Sequence, residues 1–277
     1  MTASAADPTT MEPSPTWRIA PSLWIGVAAA LGYMAIVAGL WAVLGLDYET
    51  VSDTSGNIVK GIILPIGLGA VYLIGLTSWL GWWRPAIREE RRVAPRWTLV
   101  VPGLMLLGAL LNIVSIDYGA VELNWIAVLA VGVALVGFSE ELLTRGLALV
   151  GFRARFSEVG SWLLTSVLFG LIHGLNLFFG QDLVATIRQI GLAFVLASAL
   201  YVARMSTGTL VTAMVIHALW DFGSLGFSGS DAASTPFSVV GGLLVYPTLI
   251  AGVVAAVVTA RRVDRGADAV TTAPADA

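Results

Sequence analysis

Six ionisable residues interrupt segments of this chain that are otherwise apolar. They are Glu140, Glu141, Arg145, His173, His217 and Asp221. Carboxylates and imidazoles are the side chains that activate water, carry protons or bind a divalent metal. An ionisable group near the centre of a bilayer costs about 2.5–3.5 kcal/mol on insertion scales, so each of these side chains needs a partner or a function. Mutual pairing that only holds helices together is the competing interpretation.

The spacing of these residues favours a built site. Three segments carry a pair at four-residue spacing: Glu141 with Arg145, Phe169 with His173, and His217 with Asp221. Residues four apart share one face of a helix, so Glu141 and Arg145 are predicted to form an ion pair. Glu140 is rotated by about 100° from Glu141 and is left without that partner.

The depth of these residues points the same way. Glu140 lies thirteen residues before Arg153, and His217 lies thirteen residues after Arg204. His173 lies fifteen residues after Glu158. At 1.5 Å per helical residue, each group is roughly 20 Å from its charged marker. Three separate segments therefore deliver a carboxylate and two imidazoles to one depth, as a water-activating or metal-binding site requires.

The composition is that of a membrane protein. Hydrophobic residues make up 57% of the 277 residues, charged residues only 12%, and the mean hydropathy is +0.85. A net charge of -3 gives no basic surface for nucleic acid, so no nucleic-acid partner is expected. The absence of cysteine from the sequence excludes disulfides, thiol nucleophiles and thiolate metal sites. Fourteen of the fifteen basic residues are Arg, a bias that suggests a bacterial source.

Apolar runs long enough to cross a bilayer predict an all-α, polytopic membrane bundle of about eight transmembrane helices. The predicted spans are residues 22–45, 60–83, 97–116, 124–150, 160–179, 187–204, 208–225 and 237–260. Residues 1–21 and 261–277 are expected to be disordered tails. Three helices fill residues 22–116, a four-helix core that carries the site fills residues 120–225, and residues 237–260 form the last helix.

The connections between these spans differ in charge. One set is basic, with arginines at 84, 88, 91, 92, 96, 153, 155, 204, 261, 262 and 265. The alternate set is acidic, with Asp47, Glu49, Asp53, Asp117, Glu122, Asp182 and Asp231. Basic loops face the cytoplasm, which predicts a multi-pass protein of the bacterial plasma membrane with both termini cytoplasmic. Lys60 and Arg188 are exceptions on the outer side.

Other intramembrane hydrolase signatures are missing from the chain. There is no HExxH for a zinc protease and no GxGD for an aspartyl protease. A GxS occurs at residues 137–139, but Glu140 follows it where a rhomboid protease has Gly. Ser139 is therefore expected to bond back to a helix carbonyl rather than act as a nucleophile. A transporter is disfavoured because the ionisable residues within spans all fall in the second half, without matching repeats.

Three motifs resemble one known family. EELLTR at residues 140–145 is similar to the EExxxR motif of the CPBP family, the CAAX-protease and bacteriocin-processing (Abi) intramembrane proteases. FGLIH at residues 169–173 resembles the family's FxxxH, and HALWD at residues 217–221 resembles its HxxxN/D. The motifs occur in the family's order and cover about residues 120–225. The resemblance implies a membrane-embedded endopeptidase whose partners are the bilayer and a membrane-associated protein or peptide substrate.

The resemblance also implies roles for individual residues. Glu140 would activate the attacking water, and His173 would help to hold that water or a metal. Glu141, clamped by Arg145, and Phe169 would support these groups. His217 and Asp221 would stabilise the oxyanion or complete a metal site.

The aspartate favours the metal. An ionised Asp221 cannot donate a hydrogen bond to an oxyanion as Asn could, so Asp221 is expected to be protonated by its apolar setting, to orient His217, or to bind a divalent metal such as zinc, with the metal favoured over no cofactor. Its ligands would come from His173, His217, Asp221 and Glu140. The site is expected in a polar cavity open towards the cytoplasmic leaflet. The alternative is a non-catalytic membrane scaffold or bacteriocin self-immunity protein that retains the polar network for structure.

Overall fold

Eight long helices dominate the residues that the computed structural model describes, 17–90 and 94–271. They are α1 Leu23–Leu44, α2 Ser55–Leu80, α3 Arg96–Ile113, α4 Leu123–Arg153, α5 Glu158–Phe179, α6 Leu183–Thr207, α7 Leu210–Gly229 and α8 Pro236–Thr271. A short helix, Trp83–Ile87, follows α2. All eight are long and apolar enough to span a membrane. The chain is an integral, multi-pass, all-α membrane protein, as predicted.

The helices alternate in direction, so their connections form two opposite ends of the bundle. We call one the basic end: residues 81–96, 154–157, 208–209 and the part of α8 after residue 260. We call the other the acidic end: residues 45–54, 114–122, 180–182 and 230–235. Contacts within each set support the division. Tyr48 N donates to Phe179 O at the acidic end, and Glu89 N donates to Gly208 O at the basic end.

Both predicted tails need correction where the structure describes them. Residues 1–16 lie outside the described residues, but Arg18 N donates to Leu80 O. The last helix does not end at residue 260 but continues to Thr271. The carboxylate of Asp264 accepts hydrogen bonds from the backbone N–H groups of Glu158 and Val159, at 2.6 and 3.2 Å. It thereby caps the start of α5, so the charged residues after 260 end the apolar span and not the helix.

Helix α4 changes its winding at the residues of interest. It is α-helical up to Glu141 and π-helical from Leu142 to Ala148, with every residue of that π segment buried. The hydroxyl of Thr144 donates to Glu140 O at 2.6 Å. The guanidinium of Arg204 on α6 donates to the backbone oxygen of Arg145. These side chains satisfy carbonyls that a change of helical register leaves poorly paired, which is how π turns persist at functional sites.

A small residue brings α4 against α7. A methyl group added at Gly137 would lie 2.6 Å from Met214 O and 2.9 Å from Ala218 N, so only glycine permits this approach. The contact lies one turn before the two glutamates on α4 and next to His217 on α7. The close approach therefore sets the distance between the two polar faces.

Candidate active site

A chamber of about 770 Å³ lies among α1, α2 and α4–α8. Its wall is mostly apolar, and all four predicted catalytic residues line it: Glu140, His173, His217 and Asp221. Phe169 also lines it, whereas Glu141 and Arg145 are fully buried behind the wall. Three helices from distant parts of the sequence thus bring these polar groups to one cavity.

Glu140 and Glu141 have different surroundings, although they are adjacent. Glu140 Oε2 is buried and makes no hydrogen bond to another described residue. Glu141 Oε1 instead accepts from Arg145 Nη1 at 2.9 Å, inside the bundle, as the four-residue spacing predicts. The helical rotation between consecutive residues separates a carboxylate that faces the chamber from one that is neutralised.

The imidazole of His217 lies between two carboxylates. Its Nδ1 lies 3.2 Å from Glu141 Oε1, and its Nε2 lies 3.4 Å from Asp221 Oδ2. The first contact crosses from α7 to α4, and sequence spacing could not reveal it. Because a carboxylate accepts hydrogen bonds, Glu141 favours a proton on Nδ1 and fixes the orientation of the ring.

Phe169 connects the two histidines to the ion pair. Its ring lies 5.2 Å from the ring of His173 and 5.6 Å from that of His217, both edge to face. The guanidinium carbon of Arg145 lies 4.2 Å from the centre of the same ring. His173 Nδ1 contacts Phe169 O at 2.8 Å, and since a carbonyl only accepts, Nδ1 carries the proton. In the neutral ring, His173 Nε2 is then left as an acceptor.

The donor set does not form a metal site as it is arranged. Among the described residues, no three His, Cys, Asp or Glu side chains converge on one point where an ion could bind. Both ring nitrogens of His217 already face carboxylates, and His173 Nδ1 faces a carbonyl. A tetrahedral site needs unshared nitrogen lone pairs directed at the ion. We therefore derive no step through a metal, and zinc binding stays a prediction.

Several polar residues of the chamber were not among the predicted site residues. Tyr33 on α1 lines the chamber, is 3% exposed, and its hydroxyl makes no hydrogen bond to any described residue. Asn176 Nδ2 donates to Gln189 Oε1 at 2.9 Å, and Gln189 Nε2 donates to Tyr48 Oη at 2.8 Å. Burial raises the pKa of the Tyr48 phenol, which keeps it neutral. These residues sit on apolar stretches without a motif, so only the fold brings them together.

Two expectations are wrong. Ser139 does not bond to a helix carbonyl: its hydroxyl is buried, has no hydrogen-bond partner among the described residues and does not line the chamber. The chamber also does not lie towards the basic end, where the cytoplasmic leaflet was predicted. Its lining includes Tyr48 and Gln181, which belong to the acidic end, and Arg188, which lies in the second turn of α6 next to that end. The segment between Glu140 and the basic end is instead tightly packed, since residues 141–152 are all buried.

The fold and the chamber define a class: an integral membrane protein with an intramembrane site of carboxylates and imidazoles. Comparison with known families is more specific. Residues 122–223 match the family model described as Type II CAAX prenyl endopeptidase Rce1-like. That region of the chain is similar to the Rce1-like family, which agrees with the resemblance seen in the three motifs. No curated protein and no solved structure matches the chain.

Proposed function

We propose that this protein is an intramembrane endopeptidase that hydrolyses a peptide bond in a membrane-associated protein or peptide. The observation that carries the proposal is Glu140, whose carboxylate has a buried, unpartnered oxygen in a mostly apolar chamber shared with His173 and His217. Leaving a carboxylate oxygen unpaired is unfavourable for stability, and such a group is retained where it serves chemistry. The Rce1-like family supports a protease at the level of class.

In the proposed reaction, water binds between Glu140 and His173 Nε2, which accepts one of its hydrogen bonds. Glu140 takes a proton as the water oxygen attacks the scissile carbonyl carbon. A negative charge develops on the carbonyl oxygen, and the C–N bond then breaks. Glu140 returns the proton to the departing amine, so an amine and a carboxylic acid leave and no other reactant is consumed.

The oxyanion is stabilised from the opposite side of the chamber. His217 is held by Glu141 through Nδ1, which leaves Nε2 beside Asp221 at the wall. With a proton on each ring nitrogen, His217 Nε2 donates to the oxyanion, and the Asp221 carboxylate favours that charged form of the ring. Tyr33 supplies a second donor, since its hydroxyl has no other partner among the described residues. Asp221 thus acts through His217 and needs no proton of its own.

The proposal is tested with purified protein and two probe peptides in detergent. One carries a farnesylated cysteine four residues from its C-terminus, and the other is an unprenylated apolar peptide of equal length. We expect new amine groups from at least one probe with the wild type, and loss of that signal in Glu140→Gln and His173→Ala. Glu90→Gln is the matched control, because Glu90 is exposed at the basic end. Unchanged cleavage in both chamber variants would refute the proposal.

The same variants separate catalysis from a structural role. A scaffold or immunity protein that keeps the network for structure should unfold at lower temperature when Glu140 is replaced. A catalytic Glu140 should lose activity and keep its unfolding temperature, because the replaced oxygen makes no hydrogen bond. Metal analysis of the wild type and His173→Ala by mass spectrometry tests the zinc prediction separately.

A further inference from the structure

The chamber is confined to one half of the bundle. On α5 it is lined only from Phe169 onward, although that helix begins at Glu158 near the basic end. On α6 it is lined only by residues up to Leu196, although that helix continues to Thr207. On α7 its lining begins at His217, near the middle of the helix. On these three helices the lining therefore runs from about the middle of the helix towards the acidic end.

The other half of the bundle is closed by a buried ionic cluster, defined as Glu89, Arg153, Glu158 and Arg204. Arg153 bridges Glu89 and Glu158 at 2.9 and 2.6 Å, and Arg204 Nε contacts Glu89 at 3.2 Å. Arg204 also donates to the backbone oxygens of Pro85 and Ala86. This cluster ties together α4, α5, α6 and the segment after α2, so the described residues in the half of the bundle towards the basic end are tightly packed.

The ionic cluster also affects which arginines can be used to assign the orientation of the bundle in the membrane. Arg153 and Arg204 form ion pairs with buried carboxylates. Because their charges are neutralised inside the bundle, these two arginines are weak indicators of which end of the bundle is cytoplasmic. Among the described residues, the exposed arginines at or near the basic end are Arg18, Arg84, Arg88, Arg96, Arg155, Arg261, Arg262 and Arg265. The exposed basic residues described near the acidic end are Lys60 and Arg188. The excess still places the basic end in the cytoplasm.

We infer that the chamber opens to the extracytoplasmic side of the membrane and takes its substrate from there. The substrate chemistry is that of an apolar peptide segment in the outer leaflet or at the outer surface, since the lining is mostly apolar and the polar groups gather at Glu140. The substrate part of this inference rests on the proposed peptidase function. The direction of access rests only on the chamber, the ionic cluster and the exposed charges.

Single-cysteine labelling tests the direction of access, and the natural sequence contains no cysteine to interfere. Ala120→Cys marks the acidic end and Ala154→Cys marks the basic end, both at exposed positions. Ser224→Cys lies in the chamber wall on α7. Leu243→Cys on α8 is its control, because Leu243 is 60% exposed on the outside of the bundle and lies at a similar distance from the acidic end.

Bacterial cells that express each variant are treated with a membrane-impermeant maleimide before and after permeabilisation. We expect Ala120→Cys and Ser224→Cys to react in intact cells, Ala154→Cys to react only after permeabilisation, and Leu243→Cys to stay unreactive. Reaction of Ala154→Cys in intact cells would overturn the orientation. Failure of Ser224→Cys to exceed Leu243→Cys while Ala120→Cys reacts would overturn the opening. Maleimide labelling does not require peptidase activity. The direction of access can therefore be determined even if neither probe peptide is cleaved.

Discussion

Two adjacent glutamates illustrate how neighbouring residues of one type diverge in role. Glu140 meets the chamber, with an oxygen that has no partner, whereas Glu141 is held by Arg145 and contacts His217. A buried carboxylate that neutralises a buried guanidinium contributes to stability chiefly because its removal leaves the other charge uncompensated. Replacement by Gln should therefore lower stability at Glu141 and lower activity, with stability retained, at Glu140.

Replacement of Glu141 by Gln is expected to lower stability. Removing one partner of a buried ion pair costs about 3–5 kcal/mol, because the second charge stays buried. We expect a clear drop in the unfolding temperature of purified Glu141→Gln, measured by thermal scanning in detergent, and little change in Glu140→Gln. Equal unfolding temperatures for the two variants would contradict the division of roles.

Tyr33 is a proposed donor to the oxyanion, and it lies outside residues 122–223, which match the family model. The Tyr33→Phe variant removes only a hydroxyl that has no hydrogen-bond partner among the described residues, so stability should hold. Loss of one donor to an oxyanion lowers kcat by about 10²-fold. Steady-state kinetics on the probe peptide that is cleaved should show this fall with KM little changed. A normal kcat would remove Tyr33 from the mechanism.

At the scale of helices, the geometry depends on how closely α4 approaches α7. The glycine at 137 allows contact with the backbone of Met214 and Ala218, and the same contact holds Glu141 near His217. The π segment that follows depends in turn on α6, whose Arg204 donates to the Arg145 carbonyl. The polar site is therefore positioned by backbone contacts between helices and not by its own side chains alone.

The Gly137→Ala variant tests that dependence. A methyl group 2.6 Å from a carbonyl oxygen forces the helices apart, and overpacking of this kind costs about 1–3 kcal/mol. We expect a lower unfolding temperature together with reduced hydrolysis. Gly75→Ala on α2 is the matched control, because nothing lies within 4 Å of a methyl group there. Full activity of Gly137→Ala with an unchanged unfolding temperature would show that the approach is not required.

Sequence patterns predicted the helices well and the site in part. Long apolar runs fix spans by length alone, and four-residue spacing fixes pairs on one face, such as Glu141 with Arg145. Contacts between helices leave no such pattern. The contact of His217 with Glu141 joins residues 76 positions apart, and that of Arg204 with Glu89 joins residues 115 apart. Arg153, Glu158 and Arg204 were therefore interpreted as markers of topology although they form a buried ionic cluster.

At the scale of the whole molecule, the bundle is closed at the basic end and hollow towards the acidic end. Which half stays unpacked depends on the summed volumes of side chains from seven helices, and no local sequence pattern reports it. The chamber side was accordingly the part of the sequence-based prediction that failed. The inferred entrance to this chamber lies at the acidic end, and because seven helices line the chamber, the route to Glu140 is a property of the entire fold.

Obstruction of that entrance should stop hydrolysis without disturbing the site. Ala185 on α6 lines the chamber near its rim, whereas the neighbouring Val184 is 53% exposed. We expect Ala185→Trp to lower kcat/KM for the cleaved probe peptide because the indole fills the entrance. Val184→Trp places the same indole away from the chamber and should behave as wild type. Equal kcat/KM values for both variants would show that substrate enters elsewhere.

In the proposed mechanism, Glu140 drives the attack of water on a peptide bond inside the membrane. The most direct test of this step is cleavage of the probe peptides in ¹⁸O-labelled water, with the products analysed by mass spectrometry. We expect ¹⁸O in the new carboxyl group of the wild-type product, and no product from folded Glu140→Gln. Product from folded Glu140→Gln at the wild-type rate, or wild-type product without ¹⁸O in its new carboxyl group, would contradict this mechanism.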